Sequence, residues 1–105
     1  MYGFTAHIAA PAEAYRAMHQ AVMDVIAEQG GDEGLILHLA FTTDDGVDVT
    51  EVWKSEEELN AFNQTVLPKA MARAGLPLDG TPPKTDEFDP IELVIPRPFT
   101  SDARA

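Results

Sequence analysis

The chain opens on strict alternation. Tyr2, Phe4, Ala6 and Ile8 fall on one side of an extended backbone and Gly3, Thr5, His7 and Ala9 on the other, which predicts a strand over 2–9. The period then changes. Tyr15, Met18, Val22, Val25 and Ile26 recur at helical spacing, while Glu13, Arg16, Gln20, Asp24 and Glu28 take the opposite side. Pro11 suits a first turn, where its missing N–H costs nothing, and Gly30-Gly31 stops the helix, so it is predicted over 12–29. Residues 35–42 read as a second strand that is apolar on both faces. Leu35, Leu37, Leu39 and Phe41 lie on one side and Ile36 and Ala40 on the other, with His38 as the polar interruption. Asp44-Asp45-Gly46 signals a turn, and residues 47–53 return as a third strand, giving a hairpin.

Ser55 and Glu58 have the spacing of a capping box, and Glu56 and Glu57 favour the positive end of the helix that follows. Leu59, Phe62, Val66 and Leu67 form its buried stripe. Pro68 should interrupt it, and Ala70, Met71 and Ala74 continue it to Gly75. Residues 76–90 are rich in Pro, Asp, Thr and Gly and predict a long surface loop, with a short last strand over 91–95. The expected domain is 1–95, with 96–105 as a tail. The order β-α-β-β-α-β gives an α+β, ferredoxin-like fold: two helices on one face of a four-stranded antiparallel sheet. A second strand apolar on both faces leaves the other side of the sheet needing a cover. A second copy packed sheet on sheet is the simplest one, so a homodimer through the open face is expected.

Composition narrows the partners. Eighteen acidic residues against seven Lys and Arg give a formal charge of −11, which disfavours nucleic acid and anionic membrane surfaces. No apolar run approaches the ~20 residues of a membrane span. The first residues lack a basic segment followed by an apolar core, so a cytoplasmic protein is expected. The absence of cysteine removes disulfides and thiol chemistry. Much of the acidity has local causes: helix initiation at Glu56, Glu57 and Glu58, and the turn at Asp44 and Asp45.

The stretch 47–75 carries a resemblance. Val52-Trp53-Lys54-Ser55, an acidic run, Leu59, Phe62, Leu67-Pro68 and Gly75 resemble the signature of the dimeric α/β-barrel superfamily, in its antibiotic-biosynthesis-monooxygenase-like branch. The resemblance implies a dimer whose two sheets form a central barrel, with an apolar pocket between sheet and helices in each subunit. It also implies that some relatives oxygenate polycyclic phenols with neither metal nor flavin. Deprotonation of the substrate then supplies an anion able to pass an electron to O₂. A haem-degrading branch resembles the same helix, but it carries a Trp at the position of Phe62 and an iron-ligating His at that of Ala72, so this chain departs from it. No cofactor and no metal is expected.

His38 is the candidate catalytic residue, since a neutral imidazole is a suitable general base near neutral pH. A four-residue hairpin loop sets it opposite Glu51 and a two-residue loop opposite Trp53, whereas a bulge or an odd loop breaks the grouping. A pairing with Glu51 would orient the ring and fix its tautomer. The competing reading is a hydrogen-bonded histidine inside a dimer barrel. Tyr15, Met18, Trp53, Phe62, Val66 and Met71 line the helix–sheet space, either as packed core or as a pocket for a small apolar or aromatic molecule. His7, Glu51 and Asn63 are candidate supporting polar groups, with Asn60 an equal choice to Asn63. His19, at the edge of the first helical stripe, reads as exposed. The leading function is a cofactor-independent monooxygenase-like protein for a small aromatic or polyketide-type molecule. The alternatives are a non-catalytic ligand-binding or structural dimer, or an isomerase or lyase using a strand histidine.

Overall fold

The computed structural model describes residues 1–75 and 83–97. Its elements run β1 (Tyr2–Ile8), α1 (Ala12–Gln29), β2 (Leu35–Thr43), β3 (Gly46–Trp53), α2 (Glu56–Thr65), α3 (Leu67–Arg73) and β4 (Lys84–Phe88). The strands form one antiparallel sheet in the order β2-β3-β1-β4, with the helices on one face. This is the expected ferredoxin-like α+β arrangement.

Local signals explain most boundaries. Pro11 is the extended residue just before α1, and its carbonyl accepts from the amides of Ala14 and Tyr15. Gly30 closes the helix at φ 73°, its amide donating to the Ile26 carbonyl at 2.7 Å. The Ser55 hydroxyl oxygen accepts from the Glu58 amide at 3.2 Å, as the capping pattern requires. Pro68 has no N–H for a carbonyl one turn back, and the second helical stretch accordingly splits at Val66 into α2 and α3. The amide of Val66 still donates to Phe62 and its carbonyl still accepts from Ala70, so the axis continues through the break.

The hairpin takes one of the two expected registers, but with a shorter loop than the one expected to give it. Thr43 pairs with Gly46 around a turn of Asp44-Asp45, and this places His38 opposite Glu51. A tight turn therefore gives the register expected of a longer loop, because it is centred one residue earlier than the Asp45-Gly46 pair would centre it. A bulge between Leu35 and Leu37 sets Leu35 opposite Trp53 and leaves Leu37, Leu39 and Phe41 on the helix-free face.

The last strand needs correction. Residues 84–88, assigned from composition to a loop, form β4 against β1. The apolar residues 91–95 form no strand. All five β4 residues are exposed, so no hydrophobic periodicity marks them. What places the strand is its pairing with the free edge of β1. The Phe88 ring lies over Gly3, where a Cβ would come within 2.3 Å of it, so the missing side chain on β1 seats the aromatic of β4. The rest of the predicted loop, 76–82, lies outside the described residues, as does most of the predicted tail.

The core sits between helices and sheet. Trp53, Val66 and Ala70 are fully buried, and Val25 almost so. Ala21, Val25, Val66 and Ala70 form one cluster, with Phe62 packed at its side. The ring of Phe62 meets Trp53 at a centroid distance of 5.3 Å, tilted by 54°. Arg73 clamps Glu28 with two hydrogen bonds, tying α3 to α1. No helix among the described residues is long and apolar enough to cross a membrane.

Candidate active site

On the helix-facing side of the sheet, His38, Glu51 and Phe4 stand in one row across β2, β3 and β1. His38 and Glu51 are thus direct cross-strand neighbours, and the side chains meet. The Nδ1 of His38 lies 2.6 Å from Oε2 of Glu51. The other oxygen of Glu51, Oε1, accepts from the indole N–H of Trp53 at 2.9 Å, two residues along the same face. Trp53 is fully buried, so this bond anchors the carboxylate to the core.

From above, α1 supplies Tyr15. Its hydroxyl lies 2.8 Å from Nε2 of His38. An ionised carboxylate only accepts, so Nδ1 of His38 donates to Glu51. In the tautomer this assigns, Nε2 is an acceptor, and the Tyr15 O–H donates to it. The result is a directed chain from phenol to imidazole to carboxylate. Both ring nitrogens of His38 are engaged. The tyrosine oxygen is the group next to Nε2.

His19 completes the cluster. It follows Tyr15 by one helical turn, and its ring stacks on both Tyr15 and His38, at centroid distances of 5.7 and 5.3 Å. The i, i+4 spacing of Tyr15 and His19 was the signal available in the sequence. Reading His19 as an exposed stripe-edge residue passed over it.

The structure separates other candidates from this cluster. His7 lies on the opposite face of the sheet, where Nδ1 is 3.0 Å from Asp48 and Nε2 is 2.8 Å from Asp86. These bonds, first to Asp86 and then to Asp48, raise its pKa. Even spacing along β1 carries Phe4, not His7, into the His38 row. Asn63 and Asn60 are exposed on α2. Met18 on α1 and Met71 on α3 are half-buried, Val66 belongs to the central cluster, and Phe62 packs on Trp53. Two open grooves of about 420 and 360 Å³ lie around residues 9–12 and 42–46 and beside His7 and Lys84, and neither includes His38 or Tyr15. Among the described residues no group of three or more His, Asp or Glu converges on a metal-sized site.

Chemically, the chain can move a proton. A phenol donating to an imidazole that is itself held by a carboxylate has the logic of a catalytic triad, with tyrosine in the outer place. The side chain of Glu51 is 14% exposed and that of His38 27%, so the carboxylate end is the more sheltered.

Comparison with known proteins places the fold. No protein-family model matches the sequence, and no curated protein matches it. Solved structures do. One is a protein of Nitrosomonas europaea provisionally named an antibiotic biosynthesis monooxygenase. It is 13% identical, covers 88% of this chain and all of its own, and has a TM-score of 0.58. Rv0793 of Mycobacterium tuberculosis matches 90% of this chain and 98% of its own length at 15% identity and TM-score 0.56. The monooxygenase from ActVA-Orf6 of Streptomyces coelicolor, solved with nanaomycin D, matches 91% and 90% at 24% identity and TM-score 0.50. The resemblance expected from residues 47–75 therefore holds at the level of the fold: this chain has the fold of antibiotic-biosynthesis-monooxygenase-like proteins.

Proposed function

We propose that this protein is a cofactor-independent, monooxygenase-like catalyst for a small aromatic or polyketide-type molecule. The observation that carries the reading is the hydrogen-bonded chain Tyr15–His38–Glu51 between α1 and the sheet. The fold it shares with monooxygenases, one of them solved with nanaomycin D, supports the substrate class. In the proposed reaction the Tyr15 proton passes to Nε2 of His38, and the tyrosinate takes the acidic proton of a phenolic or anthrone-type substrate. The imidazolium is stabilised by Glu51, which Trp53 holds in place. The substrate anion gives an electron to O₂, the radical pair combines at carbon as a peroxide, and the imidazolium proton returns through Tyr15 to that peroxide. Loss of water then leaves one oxygen atom in the product as a carbonyl. The substrate supplies all four electrons, so no external reductant is needed. Met18 on α1 and Met71 on α3, both half-buried, would offer adaptable apolar contacts. The working unit in this proposal is a cytoplasmic homodimer joined through the open sheet face.

Oxygen uptake with dithranol, a hydroxylated anthrone, tests the reading. Tyr15→Phe and His38→Gln should each lower kcat by about 10²–10⁴-fold, the usual weight of a positioned acid–base group, with KM much less affected. Uptake unchanged in both variants would reject the relay. Proton exchange at the substrate carbon without oxygen uptake would instead establish an isomerase on the same residues.

A further inference from the structure

Three rings meet between α1 and β2, and the proton relay proposed above needs only two of them. Tyr15 and His38 are joined edge to edge. The hydroxyl lies 2.8 Å from Nε2, the ring centroids are 6.5 Å apart, and the planes differ by only 12°. His19 is the third ring. Its centroid is 5.7 Å from that of Tyr15 and 5.3 Å from that of His38, with planes inclined by 19° and 21°. A ring almost equidistant from both partners, and almost parallel to both, lies against the join between them. Helix geometry holds it there. His19 follows Tyr15 by one turn of α1, and helical side chains lean toward the turn before their own. All three side chains are half-buried.

That position matters both before and after the proton moves. Before transfer, water competes for the Tyr15–His38 bond. The His38 side chain is 27% exposed, and a water molecule can donate to Nε2 in place of the phenol. The His19 ring covers one approach to that bond. After transfer His38 is a cation, and the face of an aromatic ring within about 6 Å attracts a cation. The attraction is absent while His38 is neutral, so it favours the charged state without tightening substrate binding. We propose that His19 is a positioning residue of the relay: its ring keeps water from the Tyr15–His38 hydrogen bond and steadies the imidazolium that forms. The inference rests on the relay and adds to it a residue that neither gives nor receives the transferred proton.

One arm of the test needs no substrate. The chain has two tyrosines, and Tyr2, bonded to the exposed Glu87, is the internal reference. Exchange of each tyrosine hydroxyl with solvent is read by NMR, from the deuterium isotope splitting of the ring Cζ resonance in mixed H₂O and D₂O. Tyr15 should exchange more slowly than Tyr2 in the full wild-type chain. His19→Ala should bring Tyr15 close to the rate of Tyr2, and His19→Phe, which restores a ring without a titratable nitrogen, should return it to the slow rate. In oxygen uptake with dithranol, His19→Ala should lower kcat by about 2–30-fold with little change in KM, and His19→Phe should recover most of the loss. His19→Gln, polar and ringless, should behave as Ala does and takes its place if Ala does not fold. Wild-type Tyr15 exchange as fast as that of Tyr2, or exchange unchanged in the ringless variants, would overturn the shielding. A His19→Phe protein as impaired as the ringless ones would overturn the part given to the ring face. Failure of the relay is read separately, as uptake unchanged in Tyr15→Phe and His38→Gln, and the hydroxyl exchange would still decide whether His19 covers the bond.

Discussion

Gly46 is a glycine for a steric reason. Its backbone is not in the left-handed region, but a Cβ there would sit 1.9 Å from the carbonyl oxygen of Ile8, where β3 starts alongside the end of β1. Backbone cannot yield as a side-chain tip can. Gly46→Ala should therefore destabilise the fold by about 2 kcal/mol or more, measured as a lowered urea midpoint with unchanged slope. At the same scale, His38 and Glu51 were legible in the sequence, one as a polar break in an apolar strand and the other through a register argument. The part played by Tyr15 was not. Its hydroxyl meets His38 only because α1 crosses over β2, and helical periodicity says which residues face the sheet but not which strand residue each one meets.

β4 shows how an element can lack the usual signal. It is short and exposed throughout, and it is held by pairing with β1, by Phe88 over Gly3, and by His7 reaching Asp86. The last contact makes the strand's attachment depend on pH. The pKa of His7 is raised in the folded chain, chiefly by Asp86 and then by Asp48. Its contribution is thus complete below the unfolded value of about 6.5 and lost as pH rises through the folded value. The pKa of Asp86 is lowered, chiefly by the bond to His7, so its contribution is lost as pH falls through its own folded value. Both act together at about pH 4.5–6.5. The difference in urea midpoint between wild type and His7→Gln should be largest there and shrink above pH 7. A difference that stays flat from acid to alkali would show that the contact does not hold the strand.

For the whole molecule, a net charge of −11 on 105 residues makes self-repulsion a general term in stability and in association. Raising salt from about 20 to 200 mM shortens the screening length from ~20 Å to below 10 Å. It should raise the urea midpoint and strengthen association of two copies, as followed by sedimentation at matched concentrations. Open faces and edges also belong to this scale. The helix-free side of the sheet is apolar along β2, but on β1 and β3 it carries the Thr5–Thr50 hydrogen bond and the His7–Asp48 contact. It is thus a mixed surface, whereas the reading from β2 alone expected an apolar one. By itself the sequence determined the helices, the first three strands and the fold class, because period, caps and breakers are local and the apolar faces they define pack in few ways. It also brought His38 and Glu51 within one register of each other. Only the tertiary structure decided that the last strand is 84–88, that His7 and His38 occupy opposite faces, and that Tyr15 closes the chain of hydrogen bonds. Those outcomes depend on which edges remain free and which side chains meet across elements distant in sequence, and no local pattern of polarity encodes such meetings.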